Sequence, residues 1–385
     1  MRIILLINSL GTGGAEYSTL QFYSFLKEKN LASISIVCFK KAEPAYDHDE
    51  LGLDEINYLS GNNIVQRVKS FNLILKNFKP QIVHSVLFEA NLIGRICKLW
   101  KGNFVHIESL VNQTYSSYRL KDPNVNNLKL EFYRIIDFFT QLYGVDHFHS
   151  NVLTVDRHYQ EKLFIGKNRI TNIPRGRKPN LYLNNEKLRD FNRAELKLEN
   201  KVVFINVARH EFQKAQTVLL DAINELGHIK YKFIFLLVGR EGNATNEIKI
   251  RIKKYSLHEN VQLLGHRNDV PALLAAADVF VFPSRFEGLP GALIEAEAAG
   301  LPVICSNIPN NLEVVTEGEN ALIFEVDDHL KLSQCIEEIV CDKEKRRNMG
   351  EKSLEIFSQK FEIDRVHQKM YDLFQNVLKR KGFAK

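Results

Sequence analysis

The segment KVVFINVARHEFQKAQTVLLDAINEL, residues 201–226, decides the fold of this chain. A short run rich in β-branched residues (202–207) precedes a polar loop and a stretch of helical periodicity (213–226). Four further apolar runs alternate with helical stretches towards the C-terminus. Apolar strands that are separated by helices are typical of parallel sheets buried on both faces. The second half of the chain is therefore predicted to be a doubly wound α/β domain.

The first half shows the same alternation, so the sequence predicts two such domains in tandem. The alternation of apolar strands and helices is interrupted by a polar, basic region around residues 178–200. We expect an N-terminal domain at 1–178, a second domain at 179–360, and a C-terminal helix at 361–385 that packs back on the first domain. Ligands of such sheets bind at the carboxyl ends of the strands. The predicted strands of the first half are 3–7, 33–39, 81–84, 104–107 and 170–173, and its predicted helices are 16–29, 64–78, 89–100 and 128–143.

Composition excludes several classes of protein. The 385 residues are 45% hydrophobic and 25% charged, which is typical of globular domains and not of disordered chains. No apolar run approaches the roughly 20 residues that span a bilayer. The N-terminal apolar run is interpreted as a buried strand and not as a signal peptide. Five scattered cysteines without a CxxC pair favour a reducing cytoplasm over a disulfide framework or a zinc site.

Charge is distributed unevenly along the chain. Residues 1–180 carry 23 Lys and Arg against 16 Asp and Glu, whereas the remaining residues carry 29 against 30. Part of the excess lies at 162–178, which includes the stretch IPRGRKP. That stretch is either a solvated connector or part of a surface that faces an anionic membrane or a phosphate-bearing substrate. A nucleic-acid partner is not expected, because no basic cluster is interleaved with aromatic residues.

A glycine-rich turn, GTGGAE at 11–16, follows the first predicted strand. Such a turn lets backbone N–H groups approach a phosphate at a helix N-terminus, although an ordinary tight turn explains it equally well. A nicotinamide dinucleotide is disfavoured for two reasons. Glu16 replaces the last glycine of the fingerprint, and the second strand ends without an acidic residue.

The strongest signal is FEGLPGALIEA at 286–296, directly after a predicted strand. Glu287 and Glu295 bracket the turn into the next helix and that helix's first turn. The intervening Gly and Pro residues expose backbone amides at the helix N-terminus, which favours an anionic ligand. Carboxylates beside an anion site suit the hydroxyl groups of a sugar, because ionised carboxylates are strong acceptors.

This segment resembles the E-x7-E motif of the family-4 (group 1) retaining glycosyltransferases of the GT-B superfamily. Four further regions are similar to elements of that family: the turn at 13–16, the Arg-x4-Lys element at 209–214, the nucleobase loop at 264–270, and the closing pattern at 299–303 and 318–321. The resemblance implies the GT-B fold, in which two Rossmann-like doubly wound domains face each other across a cleft.

The resemblance also implies the roles of the donor-side residues. Arg209 and Lys214 would neutralise the departing diphosphate, Glu295 would accept the ribose hydroxyls, and Glu287 would lie beside the transferred sugar. In this family the leaving phosphate itself helps take the acceptor proton, so no enzyme nucleophile is expected. The donor-binding set is Gly13, Gly14, Arg209, Lys214, His266, Arg267, Glu287, Gly288, Leu289, Pro290, Gly291, Ala292 and Glu295.

No metal and no other cofactor are expected, because the two cations take the place of a metal ion at the diphosphate. Asp47-His48-Asp49 matches the Asp-x-Asp motif of the GT-A architecture. It lies in an acidic, turn-rich stretch and not at the end of a buried strand, so we interpret it as a solvated loop.

The acceptor side departs from the family pattern. Where relatives of this type have a histidine-rich loop, residues 84–91 read HSVLFEAN, and two of the three histidines are missing. The next strand end adds a histidine and an acid, and periodicity does not decide which of His84, Glu89, His106 and Glu108 lines the acceptor site. The catalytic candidates are Arg209, Lys214, Glu287, Glu108 and Glu89, and the acceptor-side candidates are His84, Asn112 and Tyr115.

The predicted activity is transfer of a sugar from a UDP- or GDP-linked donor to a saccharide or lipid-linked acceptor, in cell-surface polysaccharide or glycoconjugate synthesis. The alternatives are a GT-B-fold nucleotide-sugar epimerase and a non-catalytic nucleotide-sugar-binding subunit. We expect a cytoplasmic location, with peripheral association at the inner face of the membrane as a further hypothesis. The aromatic and basic residues of 113–149, which include Arg119, Lys121 and Lys129, would be either core or part of a surface that meets anionic lipid.

Overall fold

The computed structural model describes residues 1–10, 14–40, 56–100, 102–115, 126–198 and 200–383. The chain forms two compact units, each with its own parallel sheet. The first unit is Met1–Gly176 with Asp364–Lys385, and the second is Arg177–Ile363. The chain thus enters the second unit two residues before the predicted boundary at 178 and leaves it three residues after the predicted one at 360.

The first unit is built on seven described strands in the order β3-β2-β1-β4-β5-β6-β7, all parallel. The strands are β1 (Arg2–Ile7), β2 (Ser33–Cys38), β3 (Ile56–Tyr58), β4 (Ile82–Val86), β5 (Val105–Leu110), β6 (His147–Ser150) and β7 (Ile170–Asn172). The described helices before the second unit are α1 (Gly14–Glu28), α2 (Ile64–Phe78), α3 (Phe88–Leu99), α4 (Asn127–Gly144) and α5 (Leu153–Leu163).

The second unit repeats this plan with six parallel strands in the order β10-β9-β8-β11-β12-β13. They are β8 (Val202–Val207), β9 (Phe233–Val238), β10 (Val261–Gly265), β11 (Val279–Phe282), β12 (Val303–Ser306) and β13 (Ala321–Phe324). Its helices are α6 (Glu186–Glu195), α7 (Gln216–Glu225), α8 (Thr245–Lys254), α9 (Val270–Ala276), α10 (Gly291–Ala298), α11 (Pro309–Leu312), α12 (His329–Cys341) and α13 (Lys343–Lys360).

The last helix, α14 (Ile363–Arg380), returns to the first unit and completes its core. Val366, Met370 and Phe374 of α14 join the same apolar cluster as Ile3 and Leu5 of β1. Phe374 is fully buried and meets the ring of Phe22 on α1 edge to face, with 5.4 Å between the centroids. The first sheet is therefore covered by residues from both ends of the chain.

Strand order places the loops that carry the motifs next to each other. In the second sheet β8 and β11 are neighbours, with Phe204 opposite Val279, so the loops that follow these strands emerge side by side. In the first sheet β4 lies between β1 and β5. This brings residues 8, 87 and 111, which directly follow these strands, together at the carboxyl end of the sheet. Across the described ranges, no helix is long and apolar enough to cross a membrane.

Candidate functional site

Two loops of the second unit are joined by a dense set of hydrogen bonds at the carboxyl end of its sheet. The Gln213 side chain donates from Nε2 to the carbonyl of Phe286 (2.6 Å), and the Arg285 N–H donates to the carbonyl of Gln213 (2.8 Å). The Arg285 guanidinium lies over the Phe212 ring at 4.0 Å from its centroid. The Arg-x4-Lys element and the first half of the E-x7-E motif therefore form one local structure.

Lys214 and Glu287 form an ion pair at the centre of this structure. Lys214 Nζ lies 2.6 Å from Glu287 Oε1, and the two side chains are only 16% and 8% exposed. The ammonium group also lies 5.3 Å from the centroid of the Phe282 ring, at the end of β11. The sequence predicted both residues for the donor site, and the structure brings them into direct contact.

Arg209 presents its charge to solvent beside this pair. Its side chain is 65% exposed, and its guanidinium is 3.7 Å from Glu211, which is too long for a tight ion pair. The backbone is fixed more firmly, because Gln216 Nε2 donates to the Arg209 carbonyl at 3.0 Å. A side chain held at its base and free at its tip is suited to closing on an anion.

The second half of the E-x7-E motif begins helix α10. Pro290 caps the helix, and intrahelical hydrogen bonding starts with the Leu293 N–H, so the amides of Gly291 and Ala292 have no acceptor within α10. Leu289 is buried beneath this turn. Glu295 lies on the second turn and is 39% exposed, and its Oε1 accepts from Arg177 Nε at 2.8 Å.

The remaining donor-side candidates are less closely tied to this centre. His266 is exposed, and Arg267 is held by Asp269 of its own loop at 2.6 Å. Among the described residues, no recorded contact links either of them to Lys214 or Glu287. Gly14 is the first residue of α1 in the other unit, and Gly13 lies outside the described residues.

The first unit has a pocket of about 310 Å³ at the carboxyl end of its sheet, with a mixed polar and apolar lining. It is lined by residues that follow β1, β4 and β5 and by the facing sides of α3 and α4. Of the predicted acceptor-side residues only Asn112 lines it, and the Thr114 hydroxyl donates to the Asn112 side chain at 2.8 Å. The polar lining also includes Asn8, Asn91, Arg95, Asp137 and Tyr159.

Glu108 belongs to a buried ion-pair network. Its two carboxylate oxygens accept from Arg95 Nε and Nη2, at 2.5 and 2.7 Å, and its side chain has no solvent exposure. Arg95 Nη1 also donates to Asp137 at 2.7 Å, and the opposing carboxylates raise the pKa of Arg95 despite its burial. This environment contradicts the predicted catalytic role of Glu108, because both oxygens are occupied and neither reaches the surface.

Tyr115 closes the same network. It is 3% exposed and its hydroxyl donates to Asp137. Burial, and secondarily the Asp137 charge, raises the pKa of this phenol. Burial also raises the pKa of Asp137. The predicted acceptor-side role of Tyr115 is therefore wrong, since its polar atom is directed at a buried carboxylate.

Glu89 and His106 have structural partners. Glu89, in the first turn of α3, pairs with Arg67 while remaining 38% exposed. His106 is fully buried, and its two ring nitrogens contact the Gly144 carbonyl (2.5 Å) and the Ser85 hydroxyl (2.9 Å). Glu89 thus stays a candidate, whereas His106 is a core residue.

His84 is part of a hydrogen-bonded chain of side chains that links the three strands β4, β5 and β6. His149 Nε2 contacts the Ile173 carbonyl at 3.0 Å, so this nitrogen carries the proton and its Nδ1 accepts from Ser109 Oγ at 2.9 Å. Ser109 then accepts from His84 Nε2 at 2.8 Å, and His84 Nδ1 accepts from the Tyr23 hydroxyl at 3.1 Å. The Ile173 carbonyl thereby fixes the tautomers of both His149 and His84. His84 also borders a cavity of about 60 Å³, but both of its nitrogens are occupied.

Burial sets the protonation state of this chain of groups. It lowers the pKa of His149 to about 4, and it lowers the pKa of His84 well below its usual value. Both imidazoles are therefore neutral at pH 7 and act as structural links between strands.

Sequence reasoning missed the residues whose role depends on distant partners. Arg95 and Asp137 line the pocket from helices that the sequence marked only as helical, and Tyr159 lines it from α5, a helix that was not predicted from the sequence. Asn8 had a usable signal, since it directly follows the first buried strand. Within the described ranges no three His, Cys, Asp or Glu side chains cluster as a metal site, and Asp47-His48-Asp49 lies outside those ranges.

The fold and the site define a two-domain α/β enzyme of the Rossmann-like type, with paired cations and carboxylates at the carboxyl end of its second sheet. Residues 189–355 match the family of group 1 glycosyl transferases. The matched residues make up most of the second unit. The second unit therefore carries a group 1 glycosyl transferase domain, and the chain is a glycosyltransferase of the GT-B fold.

Curated relatives agree along most of the chain. It is 26% identical over 337 residues to the UDP-Gal:alpha-D-GlcNAc-diphosphoundecaprenol alpha-1,3-galactosyltransferase of Escherichia coli, which covers 82% of this chain and 81% of that protein. It is 24% identical to the capsular polysaccharide biosynthesis glycosyltransferase CapM of Staphylococcus aureus, over 80% of each chain. The fold is similar to that of Anabaena Alr3699/HepE solved in complex with UDP, with a TM-score of 0.84 and 17% identity over 98% of this chain and 100% of that one.

Proposed function

We propose that this glycosyltransferase moves a sugar from a uridine diphosphate sugar to a lipid-linked saccharide, with retention of anomeric configuration, in the synthesis of a cell-surface polysaccharide. The E. coli relative is named for a UDP-linked donor and a diphosphoundecaprenol acceptor, and the S. aureus relative for capsule synthesis. The reaction would take place in the cytoplasm, at the inner face of the membrane.

The observation that carries the proposal is the Lys214–Glu287 pair. Lys214 is largely buried, and its partner sits one turn before the free amides of α10. An incoming diphosphate would find one semi-buried cation, one mobile cation at Arg209 and the N-terminus of α10. Such preorganised charge stabilises a leaving group whose negative charge grows in the transition state.

Retention is proposed on the roles of the carboxylates. Glu287 shares Oε1 with Lys214, so it is suited to orienting sugar hydroxyls and not to attacking the anomeric carbon. In the front-face displacement implied by the family resemblance, the acceptor proton passes to the departing phosphate oxygen. The enzyme's part is then to hold donor and acceptor and to stabilise the phosphate charge.

Helix α4 supports the membrane location. Its apolar residues follow a 4-3-4-3 spacing and face solvent, whereas the opposite side is buried through Leu130, Asp137, Gln141 and Gly144. The exposed stripe consists of Leu128 (86%), Phe132 (58%), Ile135 (51%), Phe139 (64%) and Leu142 (42%), followed by Tyr143 (80%). Contiguous apolar surface of this kind marks a binding face.

Charge near this stripe favours an anionic lipid surface as its occupant. Lys129 is exposed between Leu128 and Phe132, and Arg134 donates to the carbonyl of Lys162, whose side chain is also exposed. Each basic residue near an anionic membrane contributes about 1 kcal/mol. Of the other cations proposed from the sequence, Arg119 and Lys121 lie outside the described residues.

The activity is tested by incubating the protein with UDP- and GDP-linked sugars and a polyprenyl-diphosphate saccharide, followed by mass spectrometry of the lipid product. We expect an added sugar with one UDP-linked donor, and the anomeric coupling in the product's NMR spectrum to match that of the donor. Release of a free epimerised sugar, or nucleotide binding without turnover, would contradict the proposal. An inverted product would remove the retaining mechanism alone.

The membrane location is tested by co-sedimentation with vesicles that contain anionic lipid. We expect binding at low salt that weakens as salt rises and is lost in the double variant Phe132→Glu, Phe139→Glu. The matched control is Leu73→Glu on α2, since Leu73 is similarly exposed (63%) and lies outside the stripe. Absence of wild-type binding at every salt concentration would indicate a water-soluble acceptor.

A further inference from the structure

Arg177 occupies the point where the chain passes between the two units. It is the first residue of the second unit, and the chain leaves that unit after Ile363. The Arg177 N–H donates to the Phe361 carbonyl (2.8 Å), and the Ile363 N–H donates to the Arg177 carbonyl (3.0 Å). This parallel bridge fixes the Arg177 backbone from both sides.

The Arg177 side chain reaches from this bridge to the second glutamate of the E-x7-E motif. Its Nε donates to Glu295 Oε1 at 2.8 Å, and the Arg177 side chain is only 13% exposed. Among the described residues, no recorded contact uses Oε2 of Glu295, whose side chain is 39% exposed. One carboxylate oxygen is thus tied to Arg177, and the side chain as a whole is partly exposed.

Gly291 makes room for this contact. A Cβ atom at position 291 would lie 2.2 Å from Arg177 Nη2, so any larger residue there would displace the guanidinium. Gly291 is also the first residue of α10, where a cation lies at the unfavourable end of the helix dipole. The Glu295 carboxylate offsets that cost, which ties the position of Arg177 to that of Glu295.

We propose that Arg177 is a positioning residue for donor binding: it fixes the rotamer of Glu295 so that Oε2 meets the ribose hydroxyls of the nucleotide. This inference rests on the proposed function, in which Glu295 accepts those hydroxyls. A free glutamate loses much side-chain freedom when it binds a ligand. A glutamate already held by Arg177 loses less, so the ribose is bound more tightly.

This role accounts for a basic residue in a stretch whose function the sequence alone did not decide. Arg177 is the second arginine of IPRGRKP, which reads from sequence as either a solvated connector or a surface for an anion. In the structure its side chain contacts a carboxylate of its own unit. The basic residue therefore acts on the ligand through Glu295.

The experiment uses calorimetry to compare the binding of UDP with that of 2′,3′-dideoxy-UDP, which lacks the ribose hydroxyls. The proteins are the wild type, Arg177→Gln, Arg177→Lys, Glu295→Gln and the double variant Arg177→Gln, Glu295→Gln. We expect Arg177→Gln to weaken UDP binding roughly fivefold or more and to leave dideoxy-UDP binding unchanged. The double variant should bind UDP no more weakly than Glu295→Gln does. In turnover, Arg177→Gln should raise KM for the donor and leave kcat close to that of the wild type.

A merely structural arginine gives a different result, since it would weaken both nucleotides equally. Arg177→Lys should bind UDP with intermediate affinity, because it keeps the charge and loses the fixed geometry. Arg251→Gln is the matched control, as it breaks an ion pair with Asp221 elsewhere in the same unit. If the wild type binds no nucleoside diphosphate, the proposed function fails. If Glu295→Gln abolishes the preference for UDP and Arg177→Gln retains it, only the role of Arg177 is overturned.

Discussion

At the scale of single residues, the proposed donor site depends on Lys214, which contacts Glu287 and the Phe282 ring. Lys214 is held by Glu287 and packed near the Phe282 ring, so its charge is in place before any donor arrives. Lys214→Met keeps the apolar stem and removes the charge. We expect kcat to fall by roughly 10²–10³, as for the loss of one transition-state donor, with a smaller loss of donor affinity. Steady-state kinetics with calorimetry on the same variant checks this, and a pure KM effect would show that Lys214 binds only the ground state.

A second residue-scale prediction separates structure from catalysis at Glu108. Glu108→Gln leaves Arg95 buried with half of its compensating charge, so we expect a loss of roughly 3 kcal/mol in the free energy of unfolding of the first unit. Glu131→Gln is the control: it breaks the exposed Glu131–Arg134 pair and should cost less than about 1 kcal/mol. Urea denaturation measures both. Equal stability of the two variants would show that the buried network contributes little.

These two cases mark what the sequence could and could not reveal about the site. Lys214 and Glu287 belong to motifs in which residue type and spacing carry the chemistry, so the sequence alone could single them out as candidates. Glu108 lies near the carboxyl end of the buried strand β5, but its environment is set by Arg95 and Asp137, which lie 13 and 29 positions away along the chain. A carboxylate with a buried guanidinium beside it has the same local sequence as one that faces a substrate.

At the scale of elements, long apolar strands were predictable and short polar ones were not. Strand β6 has the sequence HFHS and offers no apolar run, yet it lies inside the first sheet because neighbouring strands satisfy both histidines. Helix α4 was predicted with nearly correct bounds from its periodicity. The same periodicity could not show that its apolar stripe faces solvent, because a stripe is identical whether it meets a core or a lipid surface.

The hydrogen-bonded chain of β4, β5 and β6 makes the first unit sensitive to acid. A histidine whose pKa is about 4 when folded and 6.5 when unfolded takes up its proton earlier in the unfolded state, so stability falls as the pH drops through that window. Each such group contributes up to about 1.4 kcal/mol per pH unit. His147, His158 and His367 of the first unit, each with a pKa lowered to about 4 mainly by burial, act in the same direction.

We therefore expect the free energy of unfolding of the first unit to decrease steadily between pH 6.5 and pH 4, and His149→Gln to make that decrease shallower. The raised pKa of Asp137 opposes this trend, because the folded state then binds a proton more readily than the unfolded state does. Urea denaturation at a series of pH values provides the measurement, and His228→Gln, an exposed histidine of the second unit, provides the control. An unchanged slope in His149→Gln would mean that burial does not keep this imidazole neutral in the folded state.

At the scale of the whole molecule, the two units have separate cores, and this predicts separate unfolding transitions. Phe374 lies in the core of the first unit although it is near the end of the chain, and Phe233 lies in the core of the second; both are fully buried. A buried Phe→Ala change costs about 3–5 kcal/mol. Phe374→Ala should thus lower the melting temperature of the first unit alone, and Phe233→Ala that of the second alone. Hydrogen exchange read by mass spectrometry assigns each transition to its peptides.

Nucleotide binding should act on only one of these transitions. In the proposed function the donor binds the second unit through Lys214, Glu287 and Glu295, and a ligand at 100 times its dissociation constant stabilises its host by about 2.7 kcal/mol. We expect UDP to increase the hydrogen-exchange protection of the second unit. The increase should be the same in the wild type and in Phe374→Ala. Phe374→Ala is the decisive background, because its first unit opens while the donor site stays folded. If UDP does not stabilise the second unit in this variant, donor affinity depends on residues of the first unit. The turn at Gly13 and Gly14, which the sequence predicts to bind the donor, would then be the first region to test.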